Sequence, residues 1–391
     1  MIKSYYTNIM RKAETKMNGS FTASKNIFKT EERVTLALRG LYRAFGYKPY
    51  KMSKFEEYDL YVRNKDFLVS DRVITFTGES GKLLALKPDV TLSIIKNTPE
   101  SPSGINKIYY NETVYRSSGA SGSKDFSEIM QTGLECFGKL DSYNVCEVIM
   151  LALRSLATVS DKYILDISHM GILSSLIEEA GLSGELRRKI LVCISEKNRS
   201  GVASVCDEAG LDADLKDCFA KLVSAYGKIE DVISPLGEIC RTDKAREALD
   251  ELTLICEMTR KCGVADHVWI DFSVVNDMRY YSGIVFRGFI DNIPTGVLSG
   301  GRYDNLLTKM GREGGAIGFA VYLDLLERLD KTSADCDADI FLVYGENNSP
   351  ADVFAAVEKL TANGESLMSG REVPENMTFK QVVDMRNGGE I

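Results

Sequence analysis

Histidine is nearly missing from this chain: only His169 and His267 occur in 391 residues. With two imidazoles, no Ser/His/Asp or Cys/His nucleophile arrangement can be named, and a zinc site is not expected. The nine cysteines stand singly, without a Cys-x-x-Cys pair. This argues against a disulfide framework and for free, mostly buried thiols in a reducing cytoplasm. No apolar run approaches the roughly 20 residues that span a bilayer, and the N-terminus lacks a signal-peptide core, so a cytosolic protein without membrane contact is expected. An excess of basic charge is also missing. Forty-eight Lys and Arg against 56 Asp and Glu give a net charge of -8, which opposes binding to nucleic acid. A Walker or dinucleotide-type glycine loop, an internal repeat and low-complexity sequence are all absent.

What is present suits a folded protein of two or three domains, with 44% hydrophobic residues to fill a core. Residues 1–28 are polar and unpatterned. Val34, Leu38, Leu41 and Phe45 then form one helical stripe over 31–45, with Gly46 placed for a left-handed cap. Residues 61–76 and 81–86 look like short strands, and Pro88 suits the first turn of a helix opened by 90–95. Asp141 can cap a helix through 158, and 163–168 reads as a strand. A charged helical region covers 171–262. Strand patterns return at 268–275 and 280–290, followed by a helix near Arg302 and by the segment 316–329. After a polar linker at 331–338, the remainder resembles a reduced βαβ unit. Hairpin-joined strands with one helical insertion predict an antiparallel α+β fold, with a domain at 1–330 and a C-terminal segment at 331–391.

The most informative stretch is 107–138, where two strand-like runs, 107–116 and 126–138, flank a Ser/Gly loop as a long hairpin. On the second run Gln131, Gly133 and Glu135 share one face, because strand side chains alternate. Gly133 lets something lie close to the backbone, while Gln131 and Glu135 offer hydrogen bonds and one negative charge. Arg116, at the end of the first run, could clamp a carboxylate or phosphate. An ordinary solvent-facing hairpin is the other reading of the same residues. Asp89 and Thr91 fall at a helix N-terminus, where capping alone would account for them.

In order and spacing, Leu86-Lys-Pro-Asp-Val-Thr91, the hairpin, Arg279-Tyr-Tyr-Ser-Gly283, Ser299-Gly-Gly-Arg-Tyr-Asp-Asn305 and Gly315-Ala-Ile-Gly-Phe-Ala-Val321 resemble the core of histidyl-tRNA synthetase and its non-synthetase relative, the ATP phosphoribosyltransferase regulatory subunit. The resemblance covers about residues 30–330. It implies a class II synthetase-like sheet and a histidine pocket formed by Asp89, Thr91, Arg116, Gln131, Glu135, Tyr280 and Tyr281. It also implies a dimer-forming first motif, although Ser53 stands where the family usually has proline.

Set against synthetases, the chain departs wherever nucleotide chemistry is concerned. The expected catalytic arginine is replaced by Asn276, and Arg279 stands where an acid is expected. Tyr322 replaces a glycine in the third motif, with Arg328 a turn further on. The loop 117–125 has a single lysine where synthetases carry several cations. Adenylation needs cations against the charge that develops on the α-phosphate. The resemblance therefore implies a regulatory subunit with no catalysis, no cofactor and no metal. It would activate a short-form ATP phosphoribosyltransferase catalytic subunit and convey L-histidine feedback, as a homodimer within a hetero-oligomer. Two alternatives stay open: a divergent histidyl-tRNA synthetase, and a synthetase-like amino-acid sensor with another partner.

Overall fold

The computed structural model describes residues 29–68, 72–117, 126–274, 280–329 and 336–386. Glu31–Glu327 form one compact unit, and residues 336–386 belong to a second.

Helix α1 (Thr30–Ala44) buries Val34, Leu38 and Leu41 of the predicted stripe together with Tyr42, while Phe45 lies just past its end and is half-buried; Gly46 follows with φ +83°, as predicted. Strand β1 (Lys48–Tyr50) is followed by a small antiparallel sheet of β2 (Phe55–Glu57), β3 (Thr75–Thr77) and β4 (Leu83–Leu86). Residues 61–76, expected as strand, instead include the end of helix α2 (Tyr58–Arg63) and a 3-10 turn at Lys65–Phe67. Tertiary packing overrides the strand propensity here, because the helix places Leu60 and Tyr61 together in the core. Pro88 lies before helix α3 (Thr91–Asn97) rather than in its first turn. The capping is done by Asp89, whose Oδ1 accepts the Leu92 amide at 2.9 Å.

The hairpin consists of β5 (Ile105–Ser117) and β6 (Phe126–Gly138), in register from Ile105↔Gly138 to Ser117↔Phe126. Helix α4 (Ser142–Val159) starts from Asp141 in a capping box with Asn144, and β7 (Tyr163–His169) follows. The helical insertion contains α5 (Met170–Glu179), α6 (Gly184–Ser195), α7 (Arg199–Glu208), α8 (Ala213–Ser224), the short strand β8 (Tyr226–Lys228), α9 (Ile229–Leu236) and α10 (Asp243–Lys261). The chain returns through β9 (Val268–Asp271), β10 (Ile284–Ile290), β11 (Leu298–Arg302), α11 (Asp304–Lys309) and β12 (Gly315–Tyr322). Beyond β12, Asp324–Leu329 is a 3-10 helix.

Nine strands make one sheet in the order β1-β5-β6-β12-β11-β10-β7-β9-β8. All its pairs are antiparallel except β1 with β5 and β7 with β9. One face packs against α1 and α4: Tyr42 meets Phe319 edge-on at 6.0 Å and donates or accepts a 3.0 Å hydrogen bond with Ser155, and Leu156 fills the space over Gly288. The opposite face presents Gln131 and Glu135 of β6 beside Tyr322 and Gly318 of β12, their register partners.

In the C-terminal unit, β13 (Ala338–Val343), helix α12 (Pro350–Thr361), β14 (Leu367–Gly370) and β15 (Phe379–Asp384) form a three-stranded parallel sheet in the order β14-β13-β15. Ser349 caps α12 with Pro350 at its start, and Leu342, Ala356 and Met385 are its core. The βαβ reading of this segment did not include β15. Its Lys380, Gln381 and Val382 are exposed, so it lacks the apolar run that marks a buried parallel strand. All nine cysteines are free thiols.

Candidate functional site

A cavity of about 350 Å³ opens on the sheet face opposite α1 and α4. Asp89, Thr91, Arg116, Gln131, Glu135, Tyr280 and Tyr281 all line it, although they come from four separate parts of the chain. The polar face of β6 is therefore a cavity wall and not a solvent-facing surface: Gln131 and Glu135 are each 2% exposed.

Glu135 is the most constrained of these groups. Its Oε1 accepts a hydrogen bond from Thr91 Oγ1 at 2.7 Å, and its Oε2 accepts one from the Tyr303 hydroxyl. Burial pushes its carboxyl up to about 8, against the opposing pull of those two hydroxyls. This favours the protonated form near neutral pH, so the single negative charge read from the sequence is largely suppressed there. Asp89 is also raised by burial, opposed by Arg116 and by the Leu92 and Thr91 amides. It caps α3 and also lines the cavity.

Gly133 corrects the sequence reading. The group lying close to its backbone is the protein's own Tyr110: a Cβ there would stand 2.6 Å from the Tyr110 hydroxyl and would also overlap the Phe319 carbonyl. Tyr110 thus covers the floor at that point. Arg116 also differs in detail. Its Nε donates to the Pro88 carbonyl at 2.9 Å, and its Nη2 stands 3.9 Å from Asp89. The guanidinium is turned back onto the segment before α3.

Aromatic rings close one wall. Tyr280 packs edge-on to Tyr281 at 4.7 Å and tilted to Tyr303 at 5.6 Å, while Tyr281 lies so close to Gly301 that a Cβ there would be 2.6 Å from its ring. At the other end Tyr322 shares a 2.5 Å hydrogen bond with Ser299. Gln131 Nε2 is buried with no hydrogen-bond partner among the described residues. A buried amide donor left without a partner costs about 1–3 kcal/mol.

Tyr110, Tyr303, Ser299, Arg287 and Asp66 also line the cavity and were missed as site residues. Arg287 carried a visible signal, since it is the one charged residue in the otherwise apolar strand 284–290. Tyr303 was counted with its glycines as a fold marker. Asn276, Arg279 and most of the loop 117–125 lie outside the described residues, as does the Arg328 side chain. Among the described residues, no group of three or more His, Cys, Asp or Glu could hold a metal ion. No helix among them is long and apolar enough to cross a membrane.

The family model of histidyl-tRNA synthetase matches residues 23–326. The chain belongs to the histidyl-tRNA synthetase family. Within that family it is similar to an ATP phosphoribosyltransferase regulatory subunit from Oceanobacillus iheyensis, 28% identical over 76% of this chain and 74% of the relative. Among solved structures it resembles an ATP phosphoribosyltransferase regulatory subunit/histidyl-tRNA synthetase from Bacillus halodurans, with a TM-score of 0.72, 24% identity and coverage of 96% of this chain and 99% of that one. It also resembles a chain of the ATP phosphoribosyl transferase complex from Thermotoga maritima, with a TM-score of 0.59, 18% identity and coverage of 75% and 97%. The fold is thus the mixed α+β class II synthetase-like fold, with a large, mostly antiparallel sheet and a small parallel C-terminal sheet.

Proposed function

We propose that this chain is a non-catalytic regulatory subunit of ATP phosphoribosyltransferase in histidine biosynthesis, and that its cavity takes L-histidine. The carrying observation is that acidic and donor groups meet in one cavity, in a chain whose sequence has Asn276 where synthetases place the catalytic arginine for nucleotide activation. Glu135 and Asp89 suit an ammonium or a protonated ring nitrogen, and the unpartnered Gln131 amide adds a donor. Tyr322 stands inside the cavity where the family's synthetases have glycine, and its hydroxyl is fixed to Ser299. The similarity to regulatory subunits and to a chain of a phosphoribosyl transferase complex supports a catalytic partner.

The test combines the purified chain with a short-form catalytic subunit. The chain alone should form no phosphoribosyl-ATP. The mixture should form a larger complex with a raised rate, and added L-histidine should lower that rate. A ligand inhibits in this way only by binding the active and inactive arrangements unequally. No association at micromolar concentration and no rate increase would sink the reading. Histidine-dependent exchange of pyrophosphate into ATP by the chain alone would favour a divergent synthetase instead.

A further inference from the structure

Arg116 has its guanidinium committed to the Pro88 carbonyl and to Asp89. Arg287 does not. It lies on β10 and lines the same cavity, in cross-strand register with Ser299 of β11 and Asp166 of β7. It makes no hydrogen bond or ion pair among the described residues. Its stem lies over Gly296, where a Cβ would stand 2.7 Å from Arg287 Cγ and 2.8 Å from Nε.

Two further observations bear on what Arg287 is for. Across the floor Gln131 Nε2 is also without a partner, and the surface between them is built from the small residues Ser299 and Ala320. The charged group facing Arg287 from β7 is Asp166, whose Oδ1 has no hydrogen-bond partner. Burial, then the neighbouring Asp271, pushes the Asp166 carboxyl up to about 7, and Asp271 is itself paired with Lys197 at 2.7 Å. Asp166 therefore offers Arg287 only a partial charge near neutral pH, and the guanidinium stays available to the cavity.

We propose that Arg287, and not Arg116, receives the anionic group of the ligand, with Gln131 Nε2 as a second donor. The cavity then has two chemical ends. Glu135 and Asp89 take a cationic nitrogen, and Arg287 with Gln131 takes a carboxylate or a phosphate, for which the planar guanidinium fork is suited. Arg287 is thus the specificity-determining residue that separates an amine bearing an anion from the same amine without one. This rests on the reading above that the cavity takes a small amino compound.

Calorimetric titration of the full chain and of Arg287→Gln tests it with three probes: L-histidine, histamine, which keeps the ring and ammonium but lacks the carboxylate, and inorganic phosphate. The substitution should weaken L-histidine by about ten- to a hundredfold, the loss of one charge-assisted contact. Histamine should change less than about twofold on the same grounds. An unchanged thermal midpoint in Arg287→Gln shows that the fold is intact, as expected for an exposed side chain. If phosphate binds in an Arg287-dependent way while L-histidine does not bind, the anion site stands and the amino-acid reading falls. If no probe depends on Arg287, including the case in which none binds, the assignment of Arg287 is overturned.

Discussion

Gly318 leaves the space that the Glu135 carboxylate fills. The two residues are register partners on β12 and β6, and a Cβ on Gly318 would overlap Glu135 Oε2 and lie 2.5 Å from the Leu134 carbonyl. The glycine is required here by close approach. Gly318→Ala should push the carboxylate off its bonds to Thr91 and Tyr303, costing about 1–3 kcal/mol as other overpacked buried sites do. Urea unfolding should show a lowered midpoint with an unchanged slope. A wild-type midpoint would mean that the Glu135 side chain has another place to go.

The raised Glu135 carboxyl also sets a pH dependence of stability. Its value in the folded chain, about 8, lies above the ordinary 4.5, so between these two pH values the folded state holds a proton that the unfolded state has released. Stability from this group is therefore full below about 4.5 and falls as pH rises towards 8, with a slope of at most about 1.4 kcal/mol per pH unit. Above 8 the contribution is flat. Glu135→Gln should lack that slope, so the difference in stability between the two proteins should change with pH over this range. Parallel curves from pH 5 to 8 would show that the carboxyl is ionised in the folded chain.

Much of this site was legible because strand alternation is geometrically strict. Once the hairpin was recognised, Gln131 and Glu135 had to share a face, and the capping residue Asp89 had to stand at the start of a helix. The residues that complete the cavity follow from pairings between distant segments. Tyr303 reaches Glu135 only because β12 lies between β6 and β11 in the sheet. Arg287 joins the floor only because β10 follows β11 in the sheet. Gly133 shows the same limit from the other side: a strand glycine signals a close approach, but not that the approaching group would be Tyr110. The mistaken strand at 61–76 has a related cause, since Tyr61 is held in a helix by core contacts that no local pattern contains.

The helical insertion is tied to the sheet by a chain of charged bonds. His169 Nδ1 accepts the Gly171 amide at 3.0 Å, so its Nε2 carries the hydrogen and donates to Glu251 Oε2 at 2.7 Å. Glu251 Oε1 lies 3.3 Å from Arg302 Nη1, and Arg302 Nε donates to Asp304 at 2.9 Å. Although burial opposes it, the His169 bond and the Arg302 charge hold the Glu251 carboxyl below its usual value. Glu251→Ala should destabilise the chain by about 2–3 kcal/mol, since two partly buried donors lose their acceptor. A depressed carboxyl contributes above its ordinary value and loses that contribution as pH falls through its folded value, so the difference between variant and wild type should shrink in acid. A pH-independent difference would assign the loss to packing.

The proton on Glu135 should also make ligand binding depend on pH. If L-histidine brings a cationic nitrogen to this carboxyl, the bound state favours the carboxylate, and binding expels the proton held with a value of about 8. Below 8 each unit rise in pH should then strengthen wild-type binding by up to about tenfold, and above 8 the gain should stop. The ligand's own titration overlaps this range but acts equally on wild type and Glu135→Gln. The ratio of their affinities therefore isolates Glu135: it should be near one at pH 6 and should grow in favour of the wild type up to pH 8. Calorimetry in two buffers of different ionisation enthalpy should report proton release at pH 7 for the wild type, reduced in the variant by the share that belongs to Glu135. A constant affinity ratio with equal proton release in both proteins would place the cationic group of the ligand away from Glu135, and Asp89 would then be the carboxylate to test.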